Sequence, residues 1–147
     1  MQETLDYSIV EHGSHAYGQA CLLRDEMLRK PLGLSLFDED LDAESDFIHV
    51  AGRGDSGTVQ AYLQFKPIDE RVAKMQQVLV AAHWQGKGVG RRLVEFAEDH
   101  ARDEGYSEVI LHAREVVTGF YEALGYRKEG DVFMEVFLPH FKQRKIL

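Results

Sequence analysis

The sequence predicts one domain of the α/β class, in the α+β sense: a mixed sheet with helices on its faces. The chain has 147 residues, 44% of them hydrophobic, which is the size and composition of a single domain with an ordinary core. β-rich segments occur before, between and after the helical segments. Pro31, Pro67 and Pro139 do not mark a linker, and no repeat divides the chain, so the predicted domain covers residues 1–147.

The first part of the chain predicts a strand followed by a helix. Residues 4–12 have the composition of a β-strand. Ser14 is a typical cap residue, and apolar positions in 15–30 recur at helical spacing until Pro31, which is expected to end the helix. The acidic stretch at 36–46 then predicts a short helix and a loop.

An antiparallel meander of three strands is expected next. The glycines of residues 52–57 favour a hairpin connection between the first two of these strands. The three strands are predicted at 47–52, 58–66 and 71–81.

The remaining chain predicts two helices and three more strands, which makes seven strands in all. A stripe of apolar residues at helical spacing runs from Gly88 to Glu104, and Gly105 is placed to end that helix. The other elements are a strand at 106–113, a short helix at 118–124 closed by Gly125, and two final strands on either side of Pro139.

Composition narrows the classes of function. The single cysteine, Cys21, lies in the first predicted helix and is expected to be a buried structural thiol in a reducing compartment. The formal charge of −8 disfavours nucleic-acid binding. No apolar stretch reaches the roughly 18 to 20 residues of a membrane span, and the N-terminal sequence lacks the features of a secretory signal. We therefore expect a cytoplasmic protein that binds neither nucleic acid nor membrane.

The segment WQGKGVGRRL, residues 84–93, combines three glycines and three cations between a predicted strand and a predicted helix. The free N–H groups of a first helical turn, the missing Cβ of glycine and the charges of Lys87, Arg91 and Arg92 together favour a bound anion such as a phosphate. Two nucleotide motifs do not fit, because Arg91 stands where a dinucleotide motif needs glycine and Gly88 where a Walker A loop needs a hydroxyl. A plain glycine turn with solvated cations is the alternative.

The run QGKGVG at 85–90 matches the [RQ]-x-x-G-x-[GA] signature of the GNAT superfamily of acyl-CoA-dependent N-acyltransferases, and residues 70–127 resemble its cofactor-binding half in element order. The resemblance implies a mostly antiparallel sheet of seven strands, with helices on both faces, that splays between strands four and five near Val80 and His112. It also implies acetyl-CoA as the acyl donor and no metal. The implied cofactor-binding residues are the backbone of Val78, Leu79 and Val80 for pantetheine, and Gln85, Gly86, Lys87, Gly88, Val89, Gly90 and Arg91 for the pyrophosphate.

Acyl transfer from a thioester to an amine needs an acid that protonates the departing thiolate and a hydrogen-bond donor that stabilises the developing oxyanion. A basic amine also needs a group that accepts its proton. By resemblance Tyr121 is the acid, although its place in a short helix also fits plain packing. The resemblance implies the backbone N–H of Val80 or Leu79 as the oxyanion donor.

The proton acceptor is left open by the sequence. Some superfamily members carry a glutamate on the fourth strand, but residues 71–80 contain no carboxylate. The candidates are His49, His83, His112 and Glu135, each of which could equally have a structural role. His112 is favoured because it ends the fifth strand beside the expected splay.

Two further features bear on the acceptor side of the expected site. The acidic stretch could attract a cationic amine or form a solvated surface; its acids are Asp38, Glu39, Asp40, Asp42, Glu44 and Asp46. Glu135 and His140, near the end of the chain, either line the acceptor pocket or only close the sheet.

The sequence thus predicts an N-acetyltransferase that moves an acetyl group from acetyl-CoA to a primary amine of a small molecule, peptide or protein. Direct transfer in a ternary complex is expected because no cysteine or serine lies in a nucleophile motif. A homodimer is expected because many superfamily members dimerise. The alternatives are a non-catalytic acyl-CoA-binding or regulatory module, an O-acyltransferase or longer-chain acyltransferase, and a purely structural domain.

Overall fold

A computed structural model describes residues 4–147 of the protein, which form three α-helices, seven strands and five short 3₁₀ turns. The helices and strands in chain order are β1 (Asp6–Val10), α1 (His15–Leu28), β2 (Ile48–Arg53), β3 (Val59–Pro67), β4 (Val72–Val80), α2 (Val89–Asp103), β5 (Glu108–Arg114), α3 (Thr118–Ala123), β6 (Arg127–Glu135) and β7 (Leu138–Ile146).

All seven strands join one sheet in the order β1-β2-β3-β4-β5-β7-β6. The β4–β5 pair is parallel and the other five pairs are antiparallel. The predicted fold class and strand count are confirmed, because every predicted strand has a counterpart in the sheet.

Helices cover both faces of the sheet, as predicted. Helix α1 begins where the Ser14 hydroxyl accepts a hydrogen bond from the Tyr17 N–H at 3.2 Å, and its small buried residues pack against Tyr62 and Leu79. Helix α2 packs Leu93 and its neighbours on the opposite face. This follows from the period-two alternation of strands, since consecutive residues of β3 and β4 point to opposite faces.

Two predicted elements differ in the structure. The acidic stretch forms two 3₁₀ turns, Leu36–Asp38 and Leu41–Glu44, instead of a regular short helix. The last hairpin turns at Val136 and Phe137, with φ of 49° and 63°, so Pro139 lies inside β7 and not between the strands. A two-residue turn with both φ values positive is usually built from Asn and Gly, and neither residue is present here to mark it.

The sheet opens between β4 and β5. These strands pair from Val72 and Glu108 only as far as Met75 and Leu111, although β4 continues for five more residues. The predicted splay is therefore present, and it begins well before the position near Val80.

A β-bulge on the other side of β4 accompanies the opening. Leu63 of β3 faces both Gln77 and Val78, and Gln77 has a φ of 56°. A bulge of this kind bends a strand and turns its backbone groups away from the regular ladder. The Gln77 side-chain oxygen accepts hydrogen bonds from Arg24 Nε at 3.3 Å and Arg29 Nη2 at 3.2 Å, so α1 and the residue that follows it hold the bulge in place.

Candidate active site

A cavity of about 620 Å³ lies in the opening between β4 and β5. Its wall is formed by the end of α1 and the turn after it, by β4 and β5 where they diverge, by α3 and by the β6–β7 hairpin. Five of the predicted site residues line it: Val78, His112 and Tyr121, together with the acceptor-pocket candidates Glu135 and His140. Val78 comes from β4 and is a predicted donor-binding residue, whereas His112 on β5 and Tyr121 on α3 are predicted catalytic residues. The cavity therefore brings predicted donor-binding and catalytic residues together.

Tyr121 occupies the α3 side of this cavity. Its ring is 8% exposed and packs edge-on against Phe120 and Tyr126. The hydroxyl makes no hydrogen bond to another residue of 4–147. Burial raises the pKa of Tyr121 to about 12, so the phenol keeps its proton at neutral pH. A buried phenol without a protein partner can donate its proton to a group that enters the cavity.

A histidine, a glutamate and a second histidine meet in the wall of the same cavity. His112 Nδ1 lies 3.0 Å from Glu135 Oε1, and His140 Nε2 lies 3.6 Å from Glu135 Oε2. His140 Nδ1 is 2.9 Å from the carbonyl oxygen of Leu138. The contact with Glu135 uses one nitrogen of His112 and leaves Nε2 as the nitrogen able to exchange a proton with a ligand.

The other two candidate proton acceptors lie elsewhere. His49 is 1% exposed, its Nδ1 lies 2.6 Å from the Tyr62 hydroxyl, and its Nε2 lies 3.0 Å from the Glu44 carbonyl oxygen. Burial lowers its pKa, which fits a neutral structural imidazole. His83 stacks edge-on against Trp84 beside a second cavity of about 320 Å³. Of the four candidates, only His112 and Glu135 line the cavity at the splay.

The β4 backbone beyond the bulge presents alternate amides to the opening. The Ala81 N–H bonds to the Gln60 carbonyl on β3, so alternation directs the Leu79 amide to β3 and the amides of Val78 and Val80 away from it. This geometry disfavours the Leu79 N–H as an oxyanion donor. The Leu79 side chain, 4% exposed, packs beneath α1.

The glycine loop follows directly after β4. Gly86 and Gly88 have φ of 74° and 78°, the left-handed region that favours glycine, and α2 begins immediately after Gly88. The first turn of α2 has no acidic residue, and Gly88 provides no side-chain cap. The N-terminal N–H groups of this 15-residue helix, and with them its positive end, thus face the loop. No anionic side chain of the first turn compensates this positive charge.

The polar and charged side chains of the loop have local contacts. Gln85 Nε2 donates to the Val80 carbonyl oxygen at 2.9 Å, which ties the loop to the end of β4. Lys87 lies over the Trp84 ring. Arg91 bonds to Glu95 at 2.7 Å on the exposed surface of α2, so its charge is partly compensated there. The backbone of the loop is therefore a better anion site than the Arg91 side chain.

Gly90 has a packing role that the sequence did not reveal. A Cβ at this position would lie 3.3 Å from Cζ of Phe120. The missing side chain allows Phe120, and the neighbouring Tyr121, to approach the start of α2. The loop and the first turn of α2 therefore serve both the predicted anion site and the placement of the predicted acid.

The acidic stretch contributes structural ion pairs. Glu44 forms a two-point contact with the buried Arg24 at 2.7 and 2.8 Å, and accepts a hydrogen bond from the Tyr17 hydroxyl. Glu39 pairs with Arg29 at 2.6 Å and is the one acid of the stretch that lines the cavity. These contacts favour a structural role for Glu39 and Glu44 over the attraction of a cationic substrate.

Other structural findings concern metals, membranes and the thiol. Among residues 4–147, no cluster of three or more His, Cys, Asp or Glu side chains is arranged to hold a metal ion. Within the same residues, no helix has the length and apolarity needed to cross a membrane. Cys21 is 3% exposed and free, so the predicted buried thiol is confirmed.

The splayed sheet, the glycine loop at the start of α2 and the cavity with its buried tyrosine define an acyl-CoA-dependent N-acyltransferase. The family model described as Acetyltransferase (GNAT) family matches residues 17–126, about three quarters of the chain, and the chain belongs to this family. The predicted superfamily is thereby confirmed.

Individual relatives agree with this assignment. A protein of Bacillus subtilis named as an acetyltransferase is 28% identical over 109 residues, which are 69% of this chain and 71% of its own. An acyl-CoA N-acyltransferase from Pseudomonas aeruginosa has the same fold, with a TM-score of 0.82, 23% identity, and coverage of 97% of this chain and 99% of its own. A GNAT family acetyltransferase from Elizabethkingia anophelis, solved with acetyl-CoA bound, matches with a TM-score of 0.72 at 14% identity over 99% of this chain and 100% of its own.

Proposed function

We propose that residues 1–147 form a single N-acetyltransferase domain that transfers the acetyl group of acetyl-CoA to a primary amine. The observation that carries the proposal is the cavity between β4 and β5, which is lined by both a buried phenol without a protein partner and the His112–Glu135 pair. The acetyl-CoA bound to the Elizabethkingia protein supports the choice of donor.

The donor would bind along β4 and the glycine loop. The backbone groups of Val78 and Val80 that face the opening are suited to hydrogen-bond the pantetheine amides as an added strand would. The N–H groups of Gly86 to Gly90, at the positive end of α2, suit the pyrophosphate. The Gln85 side chain already donates a hydrogen bond to the Val80 carbonyl oxygen. When the pantetheine arm enters, a hydrogen bond from the arm would replace this contact.

The cavity residues support direct transfer from donor to amine. No cysteine or serine is among the described residues that line the cavity, so the wall offers no thiol or serine hydroxyl for a covalent acyl-enzyme. The reaction forms an N–C bond to the acetyl carbon and breaks the C–S bond. His112 takes the proton released by the amine, and Tyr121 gives a proton to the departing sulfur. The Val78 or Val80 N–H stabilises the carbonyl oxygen as it gains negative charge.

The requirement for His112 depends on the acceptor. Removing a proton from a lysine-like amine of pKa about 10.4 at pH 7 costs about 4 to 5 kcal/mol, whereas an α-amine of pKa about 7.7 to 8.0 costs only about 1 kcal/mol. The Glu135 carboxylate, 3.0 Å from Nδ1, would hold the His112 ring with Nε2 turned to the amine whose proton it takes. The pair therefore suits a strongly basic amine.

Two properties of the whole protein are also proposed. The free and buried Cys21 suits a reducing compartment, so we place the activity in the cytoplasm. A homodimer would cover the side chains of Met134 on β6 and Phe137 in the following turn, which are 67% and 94% exposed. Sedimentation equilibrium tests this, and a monomer at high concentration would contradict it.

The first experiment is a calorimetric titration of the protein with acetyl-CoA, with S-acetyl-pantetheine as a truncated donor that lacks the pyrophosphate together with the adenosine and the 3′-phosphate. Micromolar binding of acetyl-CoA and at least tenfold weaker binding of the control are expected, because the control has no anion for the loop. Thiol release with an amine then tests turnover. Failure of the folded protein to bind acetyl-CoA refutes the proposal, and tight binding without turnover of any amine identifies a non-catalytic binding module.

A further inference from the structure

The acceptor side of the cavity is largely apolar. The turn after α1 and the β6–β7 hairpin contribute Leu32, Leu34 and Val136 to its wall, and these side chains are about half exposed, at 48%, 53% and 48%. Further apolar residues of the same wall are Met27, Leu28, Val117 and Leu138. Large apolar side chains left in contact with water gain free energy when an apolar ligand covers them.

The charged side chains of the same wall are few and mostly paired. Arg29 and Glu39 neutralise each other through two hydrogen bonds, at 2.6 and 3.2 Å. Arg114, at the end of β5, lines the cavity and has no ion pair with another described residue. Glu135 is then the one carboxylate of the wall whose partners are imidazoles and not a guanidinium or ammonium group.

One anionic position on an apolar wall recognises one cationic centre on an apolar body. Glu135 can hold one ammonium group beside His112, where its proton is removed. A second ammonium group would have to be buried against leucine and valine or placed near Arg29 and Arg114, and both arrangements are unfavourable.

On the basis of the proposed N-acetyltransferase activity, we propose that the acceptor is a small monoamine with an apolar body, such as an alkylamine or arylalkylamine, and not a polyamine or aminoglycoside. Its amine lies at Glu135 and His112, and its apolar body covers the surface formed by Leu32, Leu34 and Val136. The size of the cavity, about 620 Å³ for both the acetyl end of the donor and the acceptor, suits a small molecule.

The test compares hexylamine with 1,6-diaminohexane, which has the same length and a second ammonium group. Thiol release from acetyl-CoA should give kcat/KM at least about tenfold higher for hexylamine, because the far end of the diamine remains charged. Along the series from propylamine to hexylamine, kcat/KM should rise by up to about fourfold per methylene until the apolar surface is covered. Spermidine and kanamycin complete the panel as polycationic acceptors.

A matched pair of variants locates the effect. Leu34→Ser should lower kcat/KM for hexylamine about five- to tenfold and leave the value for 1,6-diaminohexane nearly unchanged. Leu22→Ser is the control, because Leu22 is 64% exposed on α1 and is not part of the cavity wall; its kinetics should match the wild type.

The outcomes separate this inference from the proposed function. A preference for the diamine, spermidine or kanamycin, with normal turnover, overturns the inference and leaves the acetyltransferase activity intact. If acetyl-CoA binds but no amine is acetylated, the protein is a non-catalytic binding module, and the inference about an acceptor is overturned together with the proposed transfer. Failure to bind acetyl-CoA instead refutes the proposed function on which the inference rests.

Discussion

Replacement of Tyr121 by phenylalanine tests the chemistry of the cavity at a single oxygen atom. The ring contacts with Phe120 and Tyr126 are kept, since only the hydroxyl is removed. The hydroxyl makes no hydrogen bond to another residue of 4–147, so its loss should change the free energy of unfolding by less than about 1 kcal/mol. The acetyl-CoA dissociation constant should also stay nearly unchanged.

The expected loss of turnover follows from the acidity of this phenol. General acid catalysis contributes about 10² to 10⁴ in rate, or about 2.7 to 5.4 kcal/mol at 1.36 kcal/mol per factor of ten. Burial raises the pKa of Tyr121 to about 12, which makes it a weaker acid than an exposed tyrosine relative to a thiol of pKa about 8.5. The contribution should therefore lie near the lower limit, a fall in kcat of about a hundredfold and at least about tenfold.

Tyr126→Phe is the matched control for this variant. Tyr126 is a second buried tyrosine, 5.8 Å from the Tyr121 ring, and its hydroxyl donates to Glu98 at 2.7 Å. Removing that hydroxyl should lower the free energy of unfolding by about 1 to 3 kcal/mol and leave kcat nearly unchanged. Steady-state thiol release and urea unfolding measure the two effects. If Tyr121→Phe retains wild-type kcat, Tyr121 is not the acid and its role is packing alone.

Two further substitutions test the anion loop and the buried ion pair. Gly88→Glu and Gly88→Gln add side chains of nearly the same size and impose the same strain at a φ of 78°, so they differ only in charge. Calorimetry should show that acetyl-CoA binds the Glu variant at least about tenfold more weakly than the Gln variant, because the added negative charge repels the pyrophosphate. Equal affinities of the two variants would show that no phosphate lies there. Glu44→Gln should cost about 3 to 5 kcal/mol of unfolding free energy at pH 7, because it leaves the buried Arg24 without its carboxylate, whereas Glu26→Gln in an exposed pair should cost less than about 1 kcal/mol. Burial alone would raise the pKa of Glu44, but hydrogen bonds from Arg24 and Tyr17 outweigh it and hold the pKa below 4.5. The stability that this carboxylate contributes is thus present above pH 4.5 and is lost as the pH falls through the lowered pKa. In urea unfolding, the difference in unfolding free energy between wild type and Glu44→Gln should therefore shrink between pH 7 and pH 3. A difference that stays constant over this range would contradict this account.

The bulge on β4 and the last hairpin turn show why some local features escape sequence analysis. Gln77, Val136 and Phe137 all have positive φ, yet none is glycine or asparagine. At Gln77 the conformation is supported by Arg24 and Arg29, which are distant in sequence and bind its side-chain oxygen. Residues held in unfavourable backbone conformations by tertiary contacts carry no local signal of their own.

The sequence alone was sufficient to predict the element order, the Ser14 cap, the glycine loop and the placement of Tyr121 in a short helix. These features are predictable because caps, glycine conformations and apolar periodicity each act over only a few residues. Tertiary structure alone brought His112 and His140 to Glu135, and paired Glu39 with Arg29 instead of leaving it free for a substrate. The histidine and glutamate contacts depend on the register of three strands, and a slip of one residue would turn each side chain to the opposite face of the sheet. The sequence therefore determined the family and the candidate donor site, whereas the long-range pairing of strands decided which side chains line the cavity together.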